Sequence, residues 1–400
     1  MDIYVAQSKK FTELSGTEFA SFKNSVDQWH KKFEEGDPDI RHVWRLIKKQ
    51  SLDNLVAVYE RLGLHFDRYE YESDYIQLAH IIGEKLLAGQ CHRLEATRPE
   101  NTMGCFVNLK GSPRSRVFLK SDGTSVYLSR DVAALLERVD HPYFGHNFDH
   151  VHYVVENGQS DQLEAVRQIS LAIRPEQHEC LHKDKFHVKF GRINGMSTRS
   201  GSVVLLSDIL DESRLRMIDI LRKKSTTKID LDDDSAIEAV AERLGVTAVV
   251  FNDLKRKRHG DYDFSWDATL NFGSGCGISL QYTHARLCSI ESQACLVLRN
   301  NDHFSCEALL ENENACRLLN HMLSFENTVT YCLDRLETSP FAKFSTQLAK
   351  LSNRCIEDSS LRVKNQEESV ALPRFLLFKS ARNLLASCLN IMGLPALSQI

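Results

Sequence analysis

The sequence predicts an α/β front half joined to an all-helical back half. Short apolar strand signals alternate with helical ones between about 105 and 206, the pattern of a parallel sheet crossed by helices. After about 210 the strand signals become sparse and the runs are helical. The last run stops cleanly at Gly393 and Pro395, a glycine stop followed by a residue that cannot continue a helix.

Residues 15–90 read as helical. In Leu52–Leu64 the residues Leu55, Tyr59 and Leu62 fall on one face, with Gly63 near the end. A second run covers Tyr75–Leu87. Extended pieces follow at Cys105–Leu109 and Val117–Lys120, then the turn Ser121-Asp122-Gly123-Thr124. A helix is expected over Asp131–Val139, an apolar strand over Val151–Val155 and a helix over Gln162–Ile173. Val203–Leu206 is one more short strand, with Ser207-Asp208 placed as a helix start. The back half then gives helices at Ser213–Lys223, Ala236–Leu244, Gln281–Ser289, Leu309–Phe325, Ser345–Ile356 and Arg374–Met392.

With 400 residues, two domains are the starting expectation. Hydrophobic residues at 42% and charged residues at 26% describe an ordinary globular chain, neither disordered nor fibrous. No apolar run approaches the roughly 20 residues that cross a bilayer. A net charge of −4 argues against a protein built wholly to coat nucleic acid, although a local basic face remains compatible with it. The 11 cysteines are scattered without a C-x-x-C pair, and an odd number cannot all pair within the chain. Reduced structural thiols are the expectation. The opening Met1-Asp2-Ile3-Tyr4-Val5 is not an Arg-rich, acid-poor transit segment.

Three segments carry chemistry. Lys120–Ala133 reads KSDGTSVYLSRDVA, a turn, a short strand and then a helix bearing Arg130 and Asp131. A tyrosine and a carboxylate at a strand's carboxyl end face the ligand crevice of an open α/β sheet. A carboxylate there matches the planar fork of a guanidinium. The same aspartate would also serve simply as a charge favoured by a helix N-terminus. Val151–Gln159, VHYVVENGQ, is a buried strand running into a polar, glycine-containing loop, a common ligand position. Phe190–Val203, FGRINGMSTRSGSV, puts three glycines, several hydroxyls and Arg199 before a strand. Backbone amides and a guanidinium in such a loop suit a phosphate whose charge grows during displacement.

In this order and spacing, the three segments resemble the catalytic half of class I arginyl-tRNA synthetases. The resemblance continues through Ser225-Thr226-Thr227-Lys228, Asp261–Asp267 (DYDFSWD) and Leu280–Ile290 (LQYTHARLCSI). Ala371-Leu372-Pro373-Arg374 with Phe375–Gly393 resembles the helical anticodon-binding domain named after its DALR motif, although the motif's aspartate is absent. Asn157-Gly158-Gln159, where cytosolic relatives tend to have Ser-Gln-Gln, points to the mitochondrial branch.

The resemblance implies a partial class I Rossmann-like parallel-sheet catalytic domain over 1–274, with a helical insertion and a stem-contact region. A DALR-type helical bundle would follow over 275–400. It implies that the arginine carboxylate attacks the α-phosphate of ATP, magnesium accompanying the nucleotide, and that the adenylate passes arginine to the terminal ribose of tRNA(Arg). Tyr127, Asp131 and Gln159 would hold the arginine. Met196, Ser197, Thr198 and Arg199 occupy the place of the KMSKS loop, with Gly195 where that loop has its first lysine. The resemblance implies a monomer, no membrane contact and a mitochondrial matrix location, with the cytoplasm as alternative.

Tyr282 and Arg286 lie at helical spacing and suit tRNA contact by stacking and charge, with packing as the plainer role for Tyr282. The run Lys255-Arg256-Lys257-Arg258 reads either as a nuclear signal or, preferably, as a solvated face reaching tRNA phosphates. His178-x-Cys180-x-His182 lacks a fourth metal ligand and reads as a surface loop; no metal site is assigned. The histidines at 141, 146, 150 and 152 read as structural.

The family's His-x-Gly-His motif, which contacts ATP phosphates, does not occur in these residues. His80-Ile81-Ile82-Gly83-Glu84 lacks the second histidine and reads as core packing within a helix. Residue 1 is expected to fall just after that half of the sheet, which would leave these residues inactive alone. A non-catalytic tRNA-binding paralogue is the competing expectation.

Overall fold

The computed structural model describes residues 2–112, 114–141, 148–177, 179–194, 205–223, 233–270, 275–294 and 305–400. They form two compact units, one built from 1–56, 66–153 and 158–187, the other from 57–65, 154–157 and 188–400.

The first unit opens with three helices, α1 (Asp2–Glu13), α2 (Gly16–Glu35) and the greater part of α3 (Pro38–Arg61). Neither α2 nor α3 carries a buried apolar residue, and Leu55, expected on a packed face, is 49% exposed. The packed core starts later, with α4 (Ile76–Leu87), α5 (Tyr127–Asp140) and α6 (Ser160–Ile173). Ile76, Ala79, Ile82 and Leu86 of α4 are buried, as are Val132, Leu135 and Leu136 of α5 and Leu163, Val166 and Ile169 of α6. Each set recurs at three- and four-residue intervals, the stripe an amphipathic helix presents to its neighbours. The His80–Glu84 stretch lies inside α4, as its spacing predicts. A Cβ on Gly83 would sit 2.6 Å from Leu119 Cδ1, so this glycine allows close helix–strand packing.

Strands β1 (Glu95–Thr97), β2 (Cys105–Asn108) and β3 (Arg116–Leu119) form an antiparallel sheet in that order. Here the structure differs from the parallel arrangement expected for the front strands. Strands of three or four residues joined by short connections can pair antiparallel, whereas parallel partners need a crossover. β4 (Tyr153–Glu156) pairs with β5 (His187–Phe190), which follows the short helix α7 (Lys183–Phe186). Parallel pairing joins β6 (Ile193–Asn194) to β7 (Tyr262–Asp263).

The second unit is mainly helical: α8 (Leu206–Lys223), α9 (Asp234–Leu254), α10 (Trp266–Thr269), α11 (Gly277–Ala294), α12 (Glu307–Glu311), α13 (Glu313–Leu323), α14 (Phe325–Arg335), α15 (Ser339–Glu357) and α16 (Glu368–Ile391). Its core joins Phe251 of α9, Leu280 and Leu287 of α11, Leu348 of α15 and Phe375, Leu385 and Leu389 of α16. Leu206 opens a helix rather than closing a strand. The single helix expected over Leu309–Phe325 is broken, because Asn312 accepts from the Ala315 amide and starts α13 anew. Among the described residues the cysteines are free.

Candidate functional site

The Ser121–Thr124 turn forms for local reasons. Asp122 Oδ1 accepts from the Thr124 backbone N–H at 3.0 Å and from its hydroxyl at 2.7 Å, and Gly123 takes φ +87°, where a side chain would be strained. The Lys120 N–H donates back to the Thr124 carbonyl at 2.8 Å. The turn delivers the chain into α5, where the Ser129 hydroxyl folds back to accept from the Val126 N–H at 3.0 Å. Tyr127 is therefore the first residue of α5, four residues earlier than the helix expected from Asp131.

Tyr127 stands 67% exposed, with the Arg130 guanidinium 5.1 Å from its ring centre. Asp131 follows one turn on. It accepts a hydrogen bond from Gln162 Nε2 of α6 at 3.3 Å. Gln162 lies three residues beyond Gln159, so the two share a helical face at the start of α6. Gln159 is exposed in the turn Asn157–Gln159 that leads into α6. The three expected arginine-holding residues thus sit at the starts of two helices that pack together.

The surrounding charges are committed elsewhere. Arg130 is buried; its Nε donates to Glu72 at 3.0 Å and its Nη1 to the Ser125 carbonyl at 3.1 Å and hydroxyl at 2.8 Å. Arg138 donates to Glu70 from Nε at 2.8 Å and Nη2 at 2.6 Å, and from Nη1 to the Tyr153 hydroxyl at 2.7 Å. Burial opposes the Arg138 charge, but Tyr153 and Glu70 hold its guanidinium above its ordinary value. Burial pushes the Tyr153 phenol up to about 12. Asp131 differs. Burial raises its carboxyl above the usual aspartate range, the Gln162 hydrogen bond only partly opposing this, and no ion pair among the described residues includes it. A half-enclosed carboxylate with one neutral donor can still accept a planar cation.

Gln162, Arg138, Glu70, Glu72, Glu34 and Tyr153 were not singled out from sequence as site residues. Gln162, one turn from Gln159, Arg138, two turns from Asp131 on α5, and Tyr153, inside the 151–159 segment, had local signals; Glu34, Glu70 and Glu72 come from distant segments.

In the second unit, Arg192 leads toward the glycine-rich loop. Its N–H donates to Asp261 Oδ1 at 2.7 Å and its Nε to Glu156 at 2.6 Å. A Cβ on Gly191 would lie 2.4 Å from the Gly260 carbonyl carbon and oxygen, so backbone meets backbone there. Met196, Ser197, Thr198 and Arg199 lie outside the described residues, as do Ser225–Lys228, His146 and His178.

The basic run Lys255–Arg258 is not a freely solvated face. Arg256 packs over the Tyr262 ring at 4.1 Å and donates from Nε to the Asn252 carbonyl at 3.2 Å. Arg258 Nε donates to the Leu336 carbonyl at 2.7 Å. Burial holds the Lys255 ammonium below its ordinary value. The reason is geometric: α9 ends at Leu254, and the run turns back against the protein. Tyr282 and Arg286 line one cleft of about 370 Å³ on α11 together with Ser289, Ile356, Gln399 and Ile400. Tyr282 is half-buried against the core, while Arg286 is exposed and donates to Asn353 Oδ1 at 2.6 Å.

Two packed helix starts bearing Tyr127, Asp131 and Gln159, followed in sequence by a mainly helical unit, fit a class I tRNA synthetase with an anticodon-binding domain. Residues 1–266 match the family described as tRNA synthetases class I (R), catalytic domain, and residues 280–400 match the DALR anticodon binding domain. The chain belongs to the class I arginyl-tRNA synthetase family. The probable mitochondrial arginine–tRNA ligase of Mus musculus is 31% identical over 396 residues, covering 98% of this chain and 64% of the mouse protein. That of Bos taurus is 32% identical over 371 residues, covering 92% and 61%. Arginyl-tRNA synthetase from Plasmodium falciparum superposes with a TM-score of 0.75 at 22% identity, over 96% of this chain and 63% of that one. The Thermus thermophilus enzyme gives 0.72 at 19%, over 98% and 72%. The chain spans less than two-thirds of the length of the curated relatives named here.

Proposed function

We propose that these residues are the arginine-recognising and tRNA-binding part of an arginine–tRNA ligase acting in mitochondrial translation. Asp131 carries the reading: a carboxylate raised by burial, one neutral donor in contact, beside two arginines already satisfied elsewhere. Among the described residues this arrangement suits an incoming guanidinium better than a structural ion pair. Tyr127 would cover the guanidinium and Gln159 would add a polar contact. Met196, Ser197, Thr198 and Arg199 would hold the leaving pyrophosphate of ATP, and Tyr282, Arg286, Lys255 and Arg256 would meet tRNA(Arg). The domain division is placed at 274/275, and the protein acts as a monomer.

In this scheme the carboxylate of L-arginine displaces pyrophosphate from ATP, and the adenylate then esterifies the tRNA's terminal ribose. Magnesium would enter on the phosphates of ATP. The mitochondrial placement rests on Asn157-Gly158-Gln159 and on the named mammalian relatives.

Titration of L-arginine into the 400-residue chain tests the reading. Saturable binding that disappears in Asp131→Ala, with tRNA affinity retained, supports it. A tRNA affinity with no response to L-arginine would favour the non-catalytic binder instead. Since these residues contain no His-x-Gly-His sequence, they are expected to give no arginine-dependent ATP–pyrophosphate exchange by themselves.

A further inference from the structure

One buried carboxylate ties α2 to the start of α5. The Glu34 side chain is 4% exposed. It accepts from the Ser125 backbone N–H at 3.0 Å, from the Ser125 hydroxyl at 2.6 Å and from His80 Nε2 of α4 at 3.0 Å. The Arg130 guanidinium stands 3.7 Å away. Burial of this carboxylate is unfavourable, yet the bonds from His80 and Ser125 hold its pKa below the ordinary glutamate value. So dense a set of donors is what a buried charge requires.

The geometry orders a relay. Arg130 Nη1 donates to Ser125 Oγ at 2.8 Å, and Ser125 Oγ donates onward to Glu34 at 2.6 Å. Ser125 is 1% exposed and immediately follows the Asp122–Thr124 turn. At the other end, Arg130 is fixed a second time by Glu72 and backs the exposed Tyr127 ring. The fixed first turn of α5 therefore carries both Tyr127 and Asp131. None of this relay's three members is itself assigned a contact with arginine.

We infer that Glu34, through Ser125 and Arg130, is a positioning residue that holds Tyr127 and Asp131 in their arginine-binding arrangement. This rests on the proposed roles of Tyr127 and Asp131. Pre-organisation of this kind shows in binding, because an unfixed site must be ordered when the ligand arrives.

The test compares the 400-residue chain with Glu34→Gln and Ser125→Ala by calorimetric titration of L-arginine and by hydrogen exchange of the 125–131 amides. Both variants should weaken arginine binding on the order of tenfold, the scale of one hydrogen bond to a charged group. Both should also speed exchange at 125–131 while exchange in the α11 and α16 amides stays unchanged. Ser125→Thr, which keeps the hydroxyl, should recover most of the affinity. Ser125→Ala decides the matter should Glu34→Gln not fold. Wild-type affinity and exchange in a folded Ser125→Ala chain would overturn the inference. If Asp131→Ala leaves binding intact, or the unaltered chain binds no L-arginine, the site reading fails instead. In that case unchanged exchange at 125–131 would overturn the relay as well, and faster exchange would uphold it.

Discussion

The Gln162 amide donates to the Asp131 carboxylate across 3.3 Å, from α6 to α5. Among the described residues that carboxylate has one neutral donor, in a half-enclosed site whose burial already disfavours its charge. A group whose folded pKa is raised gains stability as pH falls through that value, and its charged form costs stability at neutral pH. Asp131→Asn keeps an acceptor for Gln162 and removes the charge. It should therefore raise the melting midpoint at pH 7 by roughly 1–3 °C while abolishing L-arginine binding. In the unaltered chain, arginine affinity should fall as pH drops into the range just above that of ordinary aspartates. A calorimetric series taken from neutral pH down through the ordinary aspartate range checks the trend, and a pH-independent affinity would remove Asp131 from the guanidinium contact.

A second expectation contrasts two neighbouring glycines. A Cβ on Gly191 meets the Gly260 carbonyl carbon and oxygen at 2.4 Å, whereas a Cβ on Gly260 meets nothing nearer than the Lys257 carbonyl oxygen at 3.6 Å. Gly191→Ala must push backbone from backbone and spread the β6–β7 pair, at a cost of roughly 1–3 kcal/mol. Gly260→Ala should stay within about 0.5 kcal/mol of the unaltered chain. Urea unfolding of the two variants side by side gives the difference, and equal stabilities would contradict the close approach.

What the sequence made legible was local or periodic. Asp122 and Gly123 announce their turn because one supplies a short acceptor and the other the left-handed backbone. Ile82 and Gly83 announce a packed helix rather than a phosphate site because their neighbours repeat at helical spacing. The relay from Glu34 to Ser125 spans 91 positions, and the Arg138–Glu70 pair spans 68. Such partners are chosen by tertiary packing, which no short window records. The partial packing of Lys255–Arg258 was not legible for a related reason. Four successive cations look solvated in sequence, but past the end of α9 Arg256 packs on Tyr262 and donates to the Asn252 carbonyl, and Arg258 donates to the Leu336 carbonyl. The antiparallel β1–β3 sheet escaped because strands of three and four residues carry little pairing information.

The second unit also contains a hub of hydrogen bonds around one carboxylate. Asp358 accepts from the Ser360 N–H at 3.0 Å and hydroxyl at 2.6 Å, and from the amides of Asn312 and Asn314 at 3.0 and 2.9 Å. These four donors hold its carboxyl far below the ordinary aspartate value. A depressed pKa gives stability that is present above the unfolded value, about 4, and lost as pH falls below it. Solvent screening at this partly exposed position limits Asp358→Ala to a loss of about 0.5–1 kcal/mol at pH 7. The gap between variant and unaltered chain should narrow steadily below about pH 4. Urea titrations at pH 7 and pH 3 would show it, and a gap independent of pH would mean the hub acts by packing alone.

Two of the candidate tRNA contacts on basic residues, Arg286 and Arg256, should behave differently. Arg286 is exposed, lines the cleft with Tyr282 and, among the described residues, is held by Asn353 and, at 3.5 Å, Glu357. A guanidinium so placed can exchange those surface contacts for a phosphate with little loss. Arg286→Ala should weaken tRNA binding and reduce the slope of log affinity against log salt by about one. Arg256 stacks on Tyr262 and donates to the Asn252 carbonyl, so a phosphate would have to compete with both. Arg256→Ala should therefore lower the slope by clearly less than one and instead destabilise the end of α9. Filter binding of tRNA between 50 and 300 mM salt, on the order of the range where counterion release is readable, measures both slopes. A larger slope change for Arg256 than for Arg286 would place the RNA on the α9 end rather than along the α11 cleft.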